Sequence, residues 1–588
     1  MSFKFILAIR AVAFICGLTG STYVVADDSG KYPSLGPLIT HSETLLTKRL
    51  SAPAPIQNDP NARKIFLDIP SDVEIKVLKK LNSADRDTTK PLAIGFPRVL
   101  PERVFLNFAT MKWTLHPDGS QVAQIQLTSQ GAQAIRLGIK VDRLDDGVEM
   151  RFWGSENNLQ AVGPITWSDI RTQDGIYWTP TTFGENVALE IRLPVGADPN
   201  GIKGEIVQLS HLVANPAVAS RKSFLFTPSP QPESSCQRNV VCSNDAKMQQ
   251  QAHAVAQMLF MDSGSAYVCT GTLLNNARQD RTPFLYTAAH CIQNQRVANT
   301  LNTWWFYEAA SCGGTATLLL DPNLPNGAQL LYSDTSRDAT LLMLYDQAPN
   351  GVTFSGWDAA PLQIGDEVVG LHHPGANPTK YATGTVRDNF HSFNGNNGLS
   401  YSNFLEVVWN AGLTEEGSSG SGLFTAGTYI LKGSLFGGPS ETQACSGGRS
   451  SYSPFSGVYP AISQYINSSA PQALIAGSAS GIVTGTTIGF QLTPIPSDIG
   501  QQVNLYIGIN YSDGSWKLFD SARSSWVPLG SGPFPVFKTL TMTSQIGWDL
   551  FENIDTTQLP HGMAYYVGYG VNDADLLSGK YGVIYKVP

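Results

Sequence analysis

Hydrophobic and polar positions alternate with a period of two along much of this chain. Val122-Ala123-Gln124-Ile125-Gln126-Leu127 is one such run, and Ile135 to Val141, Val148 to Trp153 and Val187 to Leu193 are similar. Alternation of this kind predicts half-buried strands, because successive side chains of a strand point to opposite faces. Asp-Gly and Gly-rich turns separate the runs, as tight hairpins require. Farther along, Trp304-Trp305-Phe306-Tyr307 predicts a core strand, Asp338 to Leu344 an apolar strand entered through an acid, and Val503 to Ile509 another alternating strand. Asp513-Gly514 is a hairpin signal behind it. The fold class is therefore all-β.

The pattern also breaks the chain into units. At 588 residues it exceeds one core, and domains of about 100 to 250 residues imply three or four. Residues 1–26 have the character of a signal peptide. Lys4 and Arg10 precede or flank a short apolar run, and Val24-Val25-Ala26 offers small residues before a cut at Asp27. The apolar run is too short for a membrane span. Residues 27 to about 60 are polar with Pro53 and Pro55, and are expected to be a mobile lead-in. Strand patterns without cysteine fill 62–213, and Pro228, Pro230 and Pro232 mark an exposed linker before 235. A cysteine-bearing region runs from 236 to 466, a Ser/Ala/Gly-rich linker from 467 to 480, and a β-rich, sandwich-like accessory domain from 481 to 588. In that last unit Trp516, Trp526 and Trp548 either fill a small sandwich core or present rings to glycans or another surface.

Composition narrows the function. Charged residues are 15% of the chain, net charge is −8 and no block of Lys or Arg exists, which argues against a nucleic-acid partner. Seven cysteines include Cys16 in the signal; the other six, at 236, 242, 269, 291, 312 and 445, lie in one region. An even set in an exported chain predicts three disulfides, with fifteen pairings open. Zinc is disfavoured because no Cys-x-x-Cys pair occurs.

The candidate chemistry sits in that region. Thr414-Glu415-Glu416-Gly417-Ser418-Ser419-Gly420-Ser421-Gly422 packs glycines around Ser419. Glycine backbone freedom lets a serine project into a cleft while nearby N–H groups face a developing oxyanion. A serine hydroxyl needs a base. His290, at the end of Pro283-Phe284-Leu285-Tyr286-Thr287-Ala288-Ala289, is a candidate, since imidazole is mostly neutral near pH 7. A buried carboxylate should fix its tautomer, and Asp338 at the rim of an apolar strand suits that task.

The order His290, Asp338, Ser419, with Thr-Ala-Ala-His-Cys, Asp-x-Thr-Leu-Leu and Gly-x-Ser-Gly, resembles chymotrypsin-fold serine endopeptidases. The resemblance is closest to the bacterial lysyl endopeptidase branch, through Thr414-Glu415, Gly356-Trp357-Asp358, His372-His373-Pro374 and Gly437-Gly438-Pro439, and it covers roughly 236 to 466. It implies a double antiparallel β-barrel and an acyl-enzyme reaction on protein or peptide substrates. Gly417 and Ser419 supply the oxyanion N–H groups, and no metal or cofactor is needed. It makes 27–235 a propeptide of a secreted zymogen. It selects the pairs Cys236–Cys445, Cys242–Cys312 and Cys269–Cys291. His372-His373-Pro374 is expected to pack as a strand end. The alternative is a catalytically silent binding protein on the same fold.

The family's lysine pocket carries an acid that this chain lacks. Ser453 falls at that position, Leu413 lies six residues before Ser419, and Leu435-Phe436-Gly437 faces substrate. A buried Lys without counter-charge costs several kcal/mol, so apolar or small residues are expected at the cut. Glu415 and Glu441 are the carboxylates within sequence reach of the pocket.

Overall fold

The structure, a computed structural model, describes residues 32–40, 61–82, 91–214, 236–312, 323–438, 447–468, 473–480 and 486–587, with short gaps at 146, 156–160, 171, 174, 199, 395–399, 531–532 and 544–545. The expected signal peptide, the Pro-rich linker, Cys445 and Glu441 lie outside these residues. Strands dominate, nearly all of them antiparallel. Among the described residues no helix is long and apolar enough to cross a membrane.

Two barrels occupy the region after Cys236, and they close differently. In the second, Leu431–Gly437, Gly422–Thr425, Glu367–His372, Lys380–Asn394, Ser400–Ala411 and Arg449–Pro454 pair in turn, and the last returns to the first. The ring has no free edge. The first barrel runs Asn302–Trp304, Val255–Asp262, Ser265–Leu274, Phe284–Thr287, Ala339–Leu344 and Ala328–Asp334. Its ends do not meet among the described residues, so the expected pair of antiparallel barrels consists of one closed ring and one half-barrel.

The N-terminal unit extends that open sheet. Its strand Leu92–Arg98 pairs with Ser265–Leu274, placing Gly95 opposite Ala266 and Ala93 opposite Tyr267. Gly95 sits in a tight place, because an added Cβ would lie 3.0 Å from the Ala266 Cβ and 3.1 Å from His211 O. Ile94, Trp178 and Leu212 of this unit share an apolar cluster with Leu259, Met261 and Trp304 of the half-barrel. Arg136 crosses the same boundary fully buried. It donates to the Thr179 and Thr300 carbonyls at 2.7 Å each and to Trp178 O at 3.2 Å. Burial pushes its pKa down to about 9. Thr181 donates its N–H and hydroxyl to Asn302 Oδ1.

Within the N-terminal unit two sheets enclose Ile125, Leu127, Ile135, Leu137, Phe152 and Leu189. Each such side chain contributes about 1.5–3 kcal/mol by leaving water. The alternating run at 122–127 is covered on both faces. Gln124 is buried and its Nε2 donates to Glu190 at 2.9 Å, which ties the polar face of this strand to its neighbour.

Two linker expectations are corrected. Residues 32–40 are not a free lead-in: Ser34–Leu35 pairs with Trp357–Asp358, and Leu38–Ile39 with Thr353–Phe354. Residues 474–480, inside the expected 467–480 linker, form the strand Leu474–Ser480, paired along its whole length with Thr486–Thr493. Backbone pairing asks little of side chains, so Ser, Ala and Gly do not prevent it. The C-terminal unit is a sandwich around Ile488, Phe490, Leu505, Ile507, Val567 and Tyr569. Trp526 and Trp548 pack against this core, whereas Trp516 meets Tyr566 at a tilt, with ring centroids 4.5 Å apart.

Candidate active site

His290 follows the strand Phe284–Thr287 of the half-barrel, and Asp338 stands just before Ala339–Leu344, the strand paired with it. The pairing brings the two side chains together. His290 Nδ1 lies 2.8 Å from Asp338 Oδ2, and the His290 backbone N–H donates to Oδ1 at 2.9 Å. One carboxylate thus holds both the ring and its backbone. Asp338 adopts a left-handed φ of 48°, which a short polar side chain tolerates better than most. Both side chains are nearly closed off from solvent. His290 Nε2, the nitrogen on the far side of the ring, has no hydrogen-bond partner among the described residues.

Ser419 arrives from the closed barrel, just ahead of the strand Gly422–Thr425. Its carbonyl accepts from Thr270 N–H at 2.8 Å, and the Thr270 hydroxyl donates to Gly417 O at 3.0 Å. Thr270 lies on the half-barrel beside Cys269, which is bonded to Cys291 next to His290. Gly417 and Gly420 have φ of +90° and +79°. A Cβ on Gly420 would lie 2.1 Å from Thr287 Oγ1 and 2.8 Å from Ala288 N. The glycine therefore lets the serine turn press against the backbone that leads into His290. Among the described residues the N–H groups of Gly417 and Ser419 donate to no other group.

Ser418 faces inward instead. Its hydroxyl is 2.8 Å from His372 Nδ1 and accepts from the Glu415 N–H at 3.3 Å. Burial pushes His372 down to about 3, with help from His373 and Lys380, so this ring is neutral. His373 N–H donates to the Thr270 hydroxyl at 3.1 Å. The His-His pair is thus packed at a strand end, as expected, but it also fixes the serine turn. Thr270 and the His372–Ser418 contact have no signal in the sequence, where Cys-Thr-Gly-Thr reads as ordinary strand.

Of the expected pocket residues, Leu413 is buried and its carbonyl accepts from Gln237 at 3.1 Å. Glu415 is exposed. Gly437 pairs with Ser451. Ser453 is fully buried opposite Ser434, and both surround the buried Tyr286 phenol, whose pKa burial raises. Phe436 meets His290 edge-on at 5.9 Å and is itself boxed by Phe393, Tyr401 and Phe404. This aromatic box, carried by the long hairpin of the closed barrel, had no sequence signal beyond scattered rings.

Cys242–Cys312 and Cys269–Cys291 are bonded as the resemblance implied. Cys236 is also disulfide-bonded, and its expected partner Cys445 lies outside the described residues. Sulfurs of Cys269 and Cys291 come within 4.8 Å of a His290 nitrogen, but the disulfide consumes both thiols and leaves no metal-binding pair.

A family model described as the lysyl endopeptidase C-terminal domain matches residues 231–453, and one for the N-terminal domain matches 67–213. The lysyl endopeptidase of Pseudomonas aeruginosa is 32% identical over 393 residues, covering 64% of this chain and 81% of that protein. The chain belongs to the lysyl endopeptidase family. It is a serine endopeptidase, and its two matched family segments fall on the N-terminal unit and on the barrels. Among solved structures, the Rv3671c protease of M. tuberculosis is 16% identical, with a TM-score of 0.28 over 39% of this chain and 87% of that one. The thermostable serine protease AL20 is 16% identical, with a TM-score of 0.25 over 37% and 97%.

Proposed function

We propose that this family member cuts proteins with Ser419 as nucleophile, His290 as base and Asp338 as the group that orients it. The supporting observation is the double hold of Asp338 on His290, which leaves Nε2 free on the side of the ring away from the acid. Nε2 takes the Ser419 proton as Oγ attacks the scissile carbonyl. Asp338 stabilises the imidazolium, and the N–H groups of Gly417 and Ser419 receive the oxyanion. His290 then protonates the leaving amine, and water resolves the acyl-enzyme. The chain acts outside the cell after export, with residues 27–235 as its pro-segment.

At the cut site the enzyme disfavours lysine and prefers apolar or small side chains. Leu413 and Ser453 bring no charge, and the exposed Glu415 is free of the burial that a pocket acid would need. The test combines a serine-directed organophosphorus label with cleavage mapping on a mixed peptide library. Label on Ser419, lost in Ser419→Ala together with turnover by several orders of magnitude, supports the nucleophile. Label on Ser418 would overturn it. A strong majority of cuts after Lys would overturn the pocket reading and leave the nucleophile standing.

A further inference from the structure

The segment joining the barrels, Thr353 to Asp358, is stitched to both of them. Ser355 N–H donates to Leu273 O at 2.7 Å and Asn275 N–H to Ser355 O at 2.9 Å, which ties it to the half-barrel. Leu431 N–H donates to Gly356 O at 2.9 Å, which ties it to the closed barrel. Its outer edge is covered by Tyr32 to Thr40. Ala359 N–H donates to Pro33 O at 3.0 Å, and Thr40 N–H to Val352 O at 3.2 Å. Midway, Asn275 Nδ2 donates to Gly36 O at 2.9 Å. Leu35 is buried in the cluster that contains Trp357, Phe424 and Tyr286, drawn from both barrels.

One residue of the joint is shaped to this strap. A Cβ on Gly356 would meet Leu35 O at 2.6 Å, Gly36 C at 2.8 Å and Pro37 N at 2.8 Å. All three nearest atoms belong to strap backbone, and Gly356 has no positive φ to explain it otherwise. The absent side chain is space for another piece of chain.

We propose that the protease region carries an extended-peptide site on its inter-barrel joint, and that its ligand is the chain's own segment Tyr32 to Thr40, an apolar-Gly-Pro-apolar strand. Recognition is strand addition: backbone hydrogen bonds give affinity, the Leu35 pocket gives selectivity, and Pro37 pre-sets the bend between the two short strands. A strand held this way needs no covalent link to the protease. It stays in place when the chain is cut downstream, and it clamps the two barrels whose meeting sets the spacing of His290 and Ser419.

The test uses the full chain carrying Ser419→Ala, which prevents self-digestion, with residues 27–41 deleted. A fluorescent peptide of residues 32–41 should bind saturably and restore a melting temperature lowered by about 5 °C in the deletion variant. A Leu35→Asp peptide, or a receptor carrying Gly356→Ala, should bind at least about tenfold more weakly. Absence of binding, or equal binding by the Leu35→Asp peptide, would overturn the site. Should the deletion variant fail to fold, amide exchange in the intact chain decides. Gly356→Ala should speed exchange at Ala359 by about tenfold or more while leaving Thr270 protected. Unchanged exchange at Ala359 would refute the strap.

Discussion

The closed barrel and the half-barrel deal with the same problem in opposite ways. Six strands of the closed barrel satisfy one another, and its Ser419 turn rests on that finished ring. The half-barrel holds His290 and Asp338 but leaves part of Ser265–Leu274 to be paired by the N-terminal unit. An unpaired strand end is a liability in a folding chain. The difference teaches that the barrel carrying Ser419 completes its own hydrogen-bonded ring, while the barrel carrying His290 is extended by a segment outside the protease region, even though Thr270 of that barrel also holds the serine turn.

The strongest way to break this comparison is to remove residues 27–235. A chain from Cys236 onward should lose most of its active yield, with amide protection falling in Val255–Asp262 and Ser265–Leu274 and persisting in the closed ring. Co-expression of the missing segment should restore activity. Equal loss of protection in both barrels would show that they fold as one unit. Next in size is Gly420→Ala, which drives a methyl into Thr287 and Ala288. Misplacing the turn by an ångström should lower kcat/KM roughly a hundredfold with the fold intact, read by steady-state kinetics and circular dichroism. Arg136→Ala should cost about 2–4 kcal/mol, because it strands buried carbonyls of Thr179, Trp178 and Thr300. Urea unfolding of the Ser419→Ala background would show it, with exchange rising first around Thr300 to Trp304.

The smallest effect sharpens the seam between the barrels. Tyr307 donates its hydroxyl to Ala376 O, and its carbonyl accepts from Thr379 N–H. The next residue, Glu308, is largely buried, and that burial pushes it up to about 7; His253, 3.7 Å away, is pushed down by its own burial. The folded state therefore holds the Glu308 proton more tightly than the unfolded chain, so stability from this group declines as pH rises from about 4.5 to 7. His253 opposes it, since its depressed pKa makes stability rise with pH below its ordinary range. Glu308→Gln should remove the decline and leave the rise, seen as a higher melting temperature at neutral pH than the parent shows. An unchanged pH profile would mean that the carboxyl is solvated in the folded protein.

Much of the site could be read from local sequence, because its chemistry is local. His290 and Cys291, Asp338 at a strand mouth, and Gly-Ser-Ser-Gly each carry their signal within a few residues. The all-β class followed from period-two runs. What stayed hidden depended on distant partners. Leu92–Arg98 reads as a buried strand, yet nothing in it names Ser265–Leu274 as its neighbour. Ser34–Leu35 and Leu38–Ile39 are two residues each, too short for any period, and Pro and Gly disguise them as a loop. Phe393, Tyr401 and Phe404 converge on Phe436 from a hairpin, Lys380–Asn394 with Ser400–Ala411, whose register shifts several times and so defeats a simple period-two reading.

For a chain accumulating mutations, the contact between Gly420 and Thr287 is a one-way gate. The smallest available change at position 420 already adds a methyl that meets Thr287 Oγ1 at 2.1 Å and Thr270 O at 2.6 Å. No single exchange at Thr287 opens enough room, because Thr270 O and Ala288 N are main-chain atoms that every residue brings. The two barrels can therefore diverge freely on their outer faces while this point pins them together. A saturation library at position 420 should return glycine alone among active clones, whereas one at exposed Glu415 should return many residues.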